Sequence, residues 1–74
     1  MSDKVELYRR KYLRGTILEL TAPIADEFSP KPEGVRFRVE YVDAQLQLHG
    51  TWLPPERGSI AVIPGVDSFK IVNQ

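Results

Sequence analysis

The stretch Gly58-Ser-Ile-Ala-Val-Ile-Pro-Gly-Val-Asp-Ser-Phe-Lys-Ile-Val72 decides the fold of this 74-residue chain. It predicts a short apolar strand, a break at Pro64-Gly65 and a closing strand through Phe69 and Ile71. A small antiparallel β-barrel ends in this way. The stretch therefore predicts a fold, but it contains no residue pattern that identifies a chemical activity.

Three further strands are predicted upstream, over residues 16–21, 35–42 and 45–53. The second is the clearest, because apolar and charged residues alternate along it with a period of two. The residues predicted to face the core in the five strands are Leu18, Leu20, Val35, Phe37, Val39, Tyr41, Leu46, Leu48, Ile60, Val62, Phe69 and Ile71.

An amphipathic helix is predicted over about residues 3–13. Val5, Tyr8 and Tyr12 recur at helical spacing, and Leu13 extends the same stripe. Gly15 is suited to end the helix. Together the elements predict one domain, residues 1–74, that is mainly β: a small SH3-like five-stranded antiparallel barrel over about 16–72 with a short N-terminal helix.

Two loops interrupt the barrel. Residues 22–34 contain three prolines and three acids, and prolines at this density exclude a central strand. Residues 54–58 form the second loop, Pro-Pro-Glu-Arg-Gly. The first loop runs to ~12 residues, a length at which loops without secondary structure are often functional.

Composition excludes several classes. The chain has no Cys, so it forms no disulfide or thiolate metal site, and this fits a cytoplasmic protein. No stretch approaches the ~18 apolar residues of a membrane span, and the N-terminus lacks a signal peptide's apolar core. We therefore expect no membrane partner.

The sequence also argues against an enzyme. The one histidine, His49, lies on the polar side of a predicted strand, and no Gly-x-Ser-x-Gly or phosphate-binding glycine motif occurs. One histidine without cysteine falls short of a zinc ligand set. We predict no catalytic residue, no cofactor and no metal.

The acidic segment of the long loop is the first candidate binding surface. Asp26, Glu27 and Glu33, flanked by Phe28 and prolines, resemble the acidic loop with which SH3 domains recognise basic or proline-rich peptides. Trp52 is a candidate groove aromatic. The alternatives are a loop that is charged only for solubility and a tryptophan that belongs to the core.

Basic residues form the second candidate surface. Residues 1–15 carry five basic and two acidic residues, a net +3, whereas residues 16–74 carry five and eight, a net −3. Arg9 and Arg10 on the helix, with Arg36 and Arg38 on the outer face of a strand, are candidate phosphate contacts. The alternatives are a solvated helix face and cross-strand pairing with Glu19 or Glu40.

The chain resembles a family of small bacterial domains of unknown function, numbered 4314. The resemblance rests on three segments, and the last is the most specific: Tyr12-Leu-Arg-Gly-Thr-Ile-Leu-Glu-Leu20, Tyr41-Val-Asp-Ala44 with Trp52, and Ile63-Pro-Gly-Val-Asp-Ser-Phe69. It departs from the family at Phe37, where Gly is usual, and in the longer loop after Leu53. The resemblance implies a setting on phages and mobile elements, and no activity.

The leading hypothesis is a non-enzymatic interaction module that binds a protein partner. A variant of it, implied by the family's setting, is an accessory or host-defence-inhibiting factor of a phage or mobile element. The alternative is a small nucleic-acid-binding accessory protein.

Overall fold

A computed structural model describes residues 3–58 and 60–74. This part of the chain forms one helix and four strands: α1 (Asp3–Lys11), β1 (Ile17–Leu20), β2 (Arg36–Val42), β3 (Leu48–Trp52) and β4 (Phe69–Asn73). The strands make one open antiparallel sheet in the order β3-β2-β1-β4. The prediction of a mainly β fold with one short N-terminal helix is confirmed.

The core lies against one face of this sheet, where the alternation of the strands places their apolar side chains. Leu18 and Leu20 of β1 are buried, as are Phe37 and Val39 of β2, in agreement with the sequence pattern. The remaining members of the core cluster are Tyr12, Val42, Leu48, Trp52 and Val62.

The prediction that Tyr41 faces the core is wrong. Val39 pairs with Gly50 and Tyr41 pairs with His49, so Glu40 is an extra residue in β2 and forms a bulge. A bulge shifts the alternation by one residue. Tyr41 is therefore 57% exposed, and Val42 takes the buried position.

Two other strand predictions are corrected. Leu46 lies in the turn before β3 with a φ of 64°, so the strand begins only at Leu48. The predicted strand after Gly58 contributes a single bridge between Val62 and Leu48 rather than a fifth strand of the sheet. Ser59 lies outside the described residues.

The helical stripe is confirmed at Val5 and Tyr12, which are buried, and the helix ends at Lys11 rather than at 13. Leu13 is exposed, contrary to prediction. Gly15 has a φ of 92°, a conformation that does not continue a helix, and its backbone N–H donates to the Val39 carbonyl at 2.8 Å, joining the segment after α1 to β2.

Candidate functional site

The long loop between β1 and β2, residues 22–34, is here named the acidic loop. Its base is closed by two backbone hydrogen bonds between Ile24 and Lys31, with N···O distances of 2.8 and 3.0 Å. At its tip the Asp26 carboxylate accepts the backbone N–H groups of Phe28, at 3.0 Å, and Ser29, at 2.7 Å. An Asp side chain that bonds the backbone two and three residues on fixes a turn. The acidic loop thus has a defined shape.

Lys31 ties the acidic loop to the second loop, residues 54–58, named the proline loop. Its side chain is buried, with the residue only 4% exposed. The Nζ ammonium donates to the Ser29 hydroxyl at 2.9 Å and to the backbone carbonyl of Arg57, and it lies 3.6 Å from a Glu56 carboxylate oxygen. A buried charge needs such partners, and here they come from both loops.

The ring of Trp52 completes this contact. The Lys31 Nζ lies 5.4 Å from its centroid, within the range of a cation–π interaction. Trp52 also packs edge-on against Phe37, with ring centroids 4.8 Å apart. The two loops are therefore anchored on the core through one lysine and one indole.

Phe28 projects from the tip of the acidic loop with 90% of its surface exposed. Glu27 beside it is also exposed, as is Glu33 near the end of the loop. Because the backbone of Phe28 is bound by Asp26, the ring is displayed by a fixed turn. Of the predicted loop residues, Glu27 and Phe28 lie where a partner can reach them, and Asp26 shapes the tip.

Two open grooves flank the proline loop. The first has a volume of about 520 Å³ and is lined by Thr51, Trp52 and all five residues of the proline loop. The second, of about 250 Å³, lies between Pro54-Pro55, which are joined by a cis peptide bond, and the residues at the entry to β2, Val35 and Arg36. The first groove adjoins the acidic loop, because Gly58 lies against the Ser29 side chain.

Trp52 is a core residue rather than an exposed groove aromatic. It is 3% exposed, and its indole N–H donates to the Ile60 carbonyl at 3.2 Å. A buried indole N–H needs a hydrogen-bond acceptor, and the Ile60 carbonyl provides it. Trp52 therefore forms the floor of the first groove and offers a partner little surface of its own.

The arginines of β2 lie on the outer face of the sheet, as predicted. Arg36 pairs with Glu19, with Nε and Oε1 3.1 Å apart, and Lys70 approaches the same carboxylate at 3.6 Å. The expected cross-strand pairing is thus present for Arg36. Arg38 is exposed, and among residues 3–58 and 60–74 no carboxylate lies within 4.0 Å of its guanidinium.

The basic helix is not brought to the acidic loop. The Arg9 side chain donates to the carbonyl of Val42, the last residue of β2, at 3.2 Å, whereas the acidic loop enters β2 at Arg36. These positions are opposite ends of a seven-residue strand, roughly 20 Å apart at ~3.3 Å per residue. Arg10 forms an exposed pair with Glu6 at 3.9 Å.

A cluster that the sequence analysis missed lies at the turn between β2 and β3. Asp43 accepts the backbone N–H groups of Gln45 and Gln47, each at 2.9 Å, and its other oxygen lies 2.7 Å from His49 Nε2. The His49 ring stacks on Tyr41 at 4.7 Å. The signal was present in the turn-forming Asp and the His six residues later, but their contact depends on the bulge that turns Tyr41 outward.

The Asp43 carboxylate is electrostatically favoured in this turn. The backbone N–H of Gln47, followed by the His49 ring, lowers the pKa of Asp43 below its ordinary value of 3.8. Hydrogen bonds to the charged form have this effect. The residue therefore stays ionised and holds the turn.

The comparisons with known proteins agree with the sequence resemblance. The family described as "Domain of unknown function (DUF4314)" matches residues 1–72. The chain belongs to this family. No curated protein and no solved structure matches the chain. Membership of DUF4314 therefore relates the chain to a family, but it does not indicate an activity.

Other kinds of site to consider are a metal centre and a membrane-spanning helix. No group of three or more His, Asp or Glu side chains in 3–58 and 60–74 is arranged to hold a metal ion. None of the helical structure in this part of the DUF4314 chain is long and apolar enough to cross a membrane.

Proposed function

We propose that this protein is a non-enzymatic interaction module that binds a protein partner with the tip of the acidic loop and the first groove. The observation that carries the proposal is Phe28, an aromatic ring that is 90% exposed on a turn fixed by Asp26. Burying such a ring against a partner is worth ~1.5–3 kcal/mol. Because the turn is already formed, little ordering entropy opposes that gain.

Charge defines the chemistry of the partner. The acidic loop carries Asp26, Glu27 and Glu33 against the single cation Lys31, a net −2, and the proline loop carries one acid and one base. Lys31 is buried among its own partners. The exposed charge is therefore mainly negative, which favours a basic segment with an apolar residue that contacts Phe28.

Affinity capture from the native host tests the proposal, with Phe28→Ser as the disruptive variant. We expect the Phe28→Ser variant to capture no partner. Glu27→Lys should capture less of the same partner, because it reverses a negative charge of the acidic loop. Leu7→Ser is the matched control, because Leu7 is an exposed apolar residue on α1. If Phe28→Ser and Leu7→Ser retain the same proteins as the wild type, the acidic loop is not the binding surface.

Nucleic-acid binding is a second candidate, favoured by the exposed Arg38 on the outer face, whose guanidinium has no carboxylate within 4.0 Å in the described part of the chain. Contacts to phosphate would make affinity fall steeply with salt. We expect only feeble binding of generic duplex or single strands at about 150 mM salt, because the −3 charge of residues 16–74 opposes approach. Tight binding that is lost in an Arg38→Glu, Arg10→Glu variant would make this candidate the leading one.

The biological setting belongs to the same proposal. We propose that the protein acts in the bacterial cytoplasm as an accessory or host-defence-inhibiting factor of a phage or mobile element, and that its sheet is a variant of the SH3-like barrel. The family resemblance supports the setting, and the Leu48–Val62 bridge supports a curled sheet. Phage plating on hosts with and without the expressed protein tests the defence role, and unchanged plating contradicts it.

A further inference from the structure

The ammonium group of Lys31 lies where three parts of the candidate site meet. Within the acidic loop it donates to the Ser29 hydroxyl at 2.9 Å. From the proline loop it contacts the Arg57 carbonyl and the Glu56 carboxylate. Its Nζ also lies 5.4 Å from the ring centroid of Trp52, the floor of the first groove. One charged group therefore fixes the acidic loop relative to the groove.

The proline loop leaves room for this ammonium at Gly58. A Cβ at Gly58 would lie 2.6 Å from the Ser29 Oγ and 3.2 Å from the Lys31 Nζ. Its φ of 117° also lies in a region that favours glycine over other residues. The acidic loop thus supplies the ammonium, and the proline loop supplies both acceptors and the space for it.

The charge of Lys31 is enclosed rather than displayed. The residue is 4% exposed, and the Glu56 side chain beside it is 23% exposed. A buried cation with a carboxylate and oxygen acceptors around it is stabilised by those partners. Lys31 therefore offers a binding partner no direct contact, and any effect it has on binding acts through the placement of the two loops.

We infer that Lys31 is a positioning residue for the binding surface: it holds the tip of the acidic loop in a fixed place beside the first groove, so that one partner segment binds across both loops. The inference rests on the proposed function, in which Phe28 and the first groove contact the same partner. Contact areas that are already fixed relative to each other lower the entropy cost of binding. Loss of the ammonium therefore lowers affinity although no contact to the partner is removed.

Charge alone predicts the opposite result. The acidic loop carries a net charge of −2 with Lys31 and of −3 without it. Lys31→Met would therefore make the surface more attractive to a basic segment. If Lys31 positions the loops, the same substitution weakens binding. The sign of the change in affinity thus separates positioning from electrostatics.

Short synthetic peptides rich in arginine, each with a single leucine or phenylalanine, measure that sign. Peptides that bind the wild type but not Phe28→Ser are titrated into each variant at a temperature where all variants are folded. Under that condition a change in stability alone leaves the Kd unchanged. We expect Lys31→Met to raise the Kd by at least about tenfold. Gly58→Ala, which disturbs the contact without changing the charge, should also raise it.

Gly65→Ala is the matched control. Gly65 also has a positive φ, of 89°, but a Cβ there would have no heavy atom of the described residues within 4 Å beyond its chain neighbours. It should leave the Kd unchanged. If Lys31→Met does not fold, the comparison of Gly58→Ala with Gly65→Ala decides the question.

Amide hydrogen exchange in the free protein tests the coupling of the loops without any peptide. The Ser29 amide bonds to Asp26 at 2.7 Å, and the Ile24 amide bonds to the Lys31 carbonyl at 2.8 Å, so both report on the acidic loop. Gly58→Ala, in the other loop, should speed their exchange by at least about threefold relative to Gly65→Ala.

Three results overturn the inference. Peptide affinity that is equal or higher in Lys31→Met, with Phe28→Ser still inactive, would leave the proposed function standing and remove the positioning role. Unchanged exchange at Ser29 and Ile24 in Gly58→Ala would show that the loops are independent. The absence of any peptide whose binding depends on Phe28 would contradict the proposed basic partner itself, and the inference with it.

Discussion

The two edges of the sheet differ, although both strands are rich in apolar residues. At the β3 edge, both backbone groups of Leu48 bond to Val62 and the indole of Trp52 bonds to the Ile60 carbonyl, so residues 60–62 cover the strand. At the β4 edge, Ile71 and Val72 face solvent. Stability is therefore concentrated on the β3 side, whereas the β4 side buries less of its surface.

The largest expected effect comes from breaking the covered edge. Trp52→Ala removes a buried ring that contacts Phe37, bonds residue 60 and lies over the Lys31 ammonium. A cavity of this kind costs ~3–5 kcal/mol, a large share of the total stability of a domain this small. Chemical denaturation measures the loss. A cost below about 1 kcal/mol would mean that Trp52 does not anchor this edge.

Gly50→Ala attacks the covered edge through the backbone. A Cβ at residue 50 would overlap the carbonyl oxygen of Arg38, and backbone atoms on a paired strand yield little. We expect a loss of at least about 2 kcal/mol. Thr51→Ala, one residue along on the exposed face, is the control and should cost less than about 1 kcal/mol. Equal effects would show that the bulge can open to accept a methyl group.

On the open edge, Phe69→Ala should cost less than the tryptophan change. Phe69 contacts Tyr12, with ring centroids 5.9 Å apart, but it is only partly buried. About 1–3 kcal/mol is expected, because the exposed part of the ring loses nothing on truncation. Unfolding both variants in parallel allows their losses in the free energy of unfolding to be compared directly. A loss equal to that of Trp52→Ala would contradict the assignment of stability to the covered edge.

The smallest expected effect is on the melting temperature, through the pH-dependent contribution of Asp43 in the turn before β3. Because the folded pKa of Asp43 is lowered, its contribution is present above the unfolded pKa and is lost as the pH falls through the folded pKa, that is, below about pH 4. Asp43→Asn should lower the melting temperature at neutral pH, and the two proteins should converge in acid. A difference that is independent of pH would exclude an ionic role for the carboxylate.

Most of the fold could be predicted wherever one strand face alone is apolar. Leu18 and Leu20 alternate with polar residues, and the structure buries both. The pattern failed where two neighbouring apolar residues compete. Tyr41 and Val42 are both suited to the core, and only the extra residue Glu40, visible in the pairing with β3, decides between them.

The sequence predicted the exposed residues of the candidate site, but it did not predict the buried contacts that hold the two loops together. Glu27 and Phe28 lie at the surface, as a loop rich in proline and acid suggests. The burial of Lys31 had no local signal, because lysine is rarely buried without partners. Its partners include Arg57 and Glu56, which are distant in sequence, so only the folded chain brings them together.

In the acidic loop, the residues that set the path of the backbone differ from those displayed at the tip. Asp26, Ser29 and Lys31 make hydrogen bonds that set the loop's path, and these bonds use neither the Glu27 nor the Phe28 side chain. Substitutions at those two positions therefore leave the scaffold intact. A library varied at positions 27 and 28 would therefore change the displayed side chains on one fixed loop.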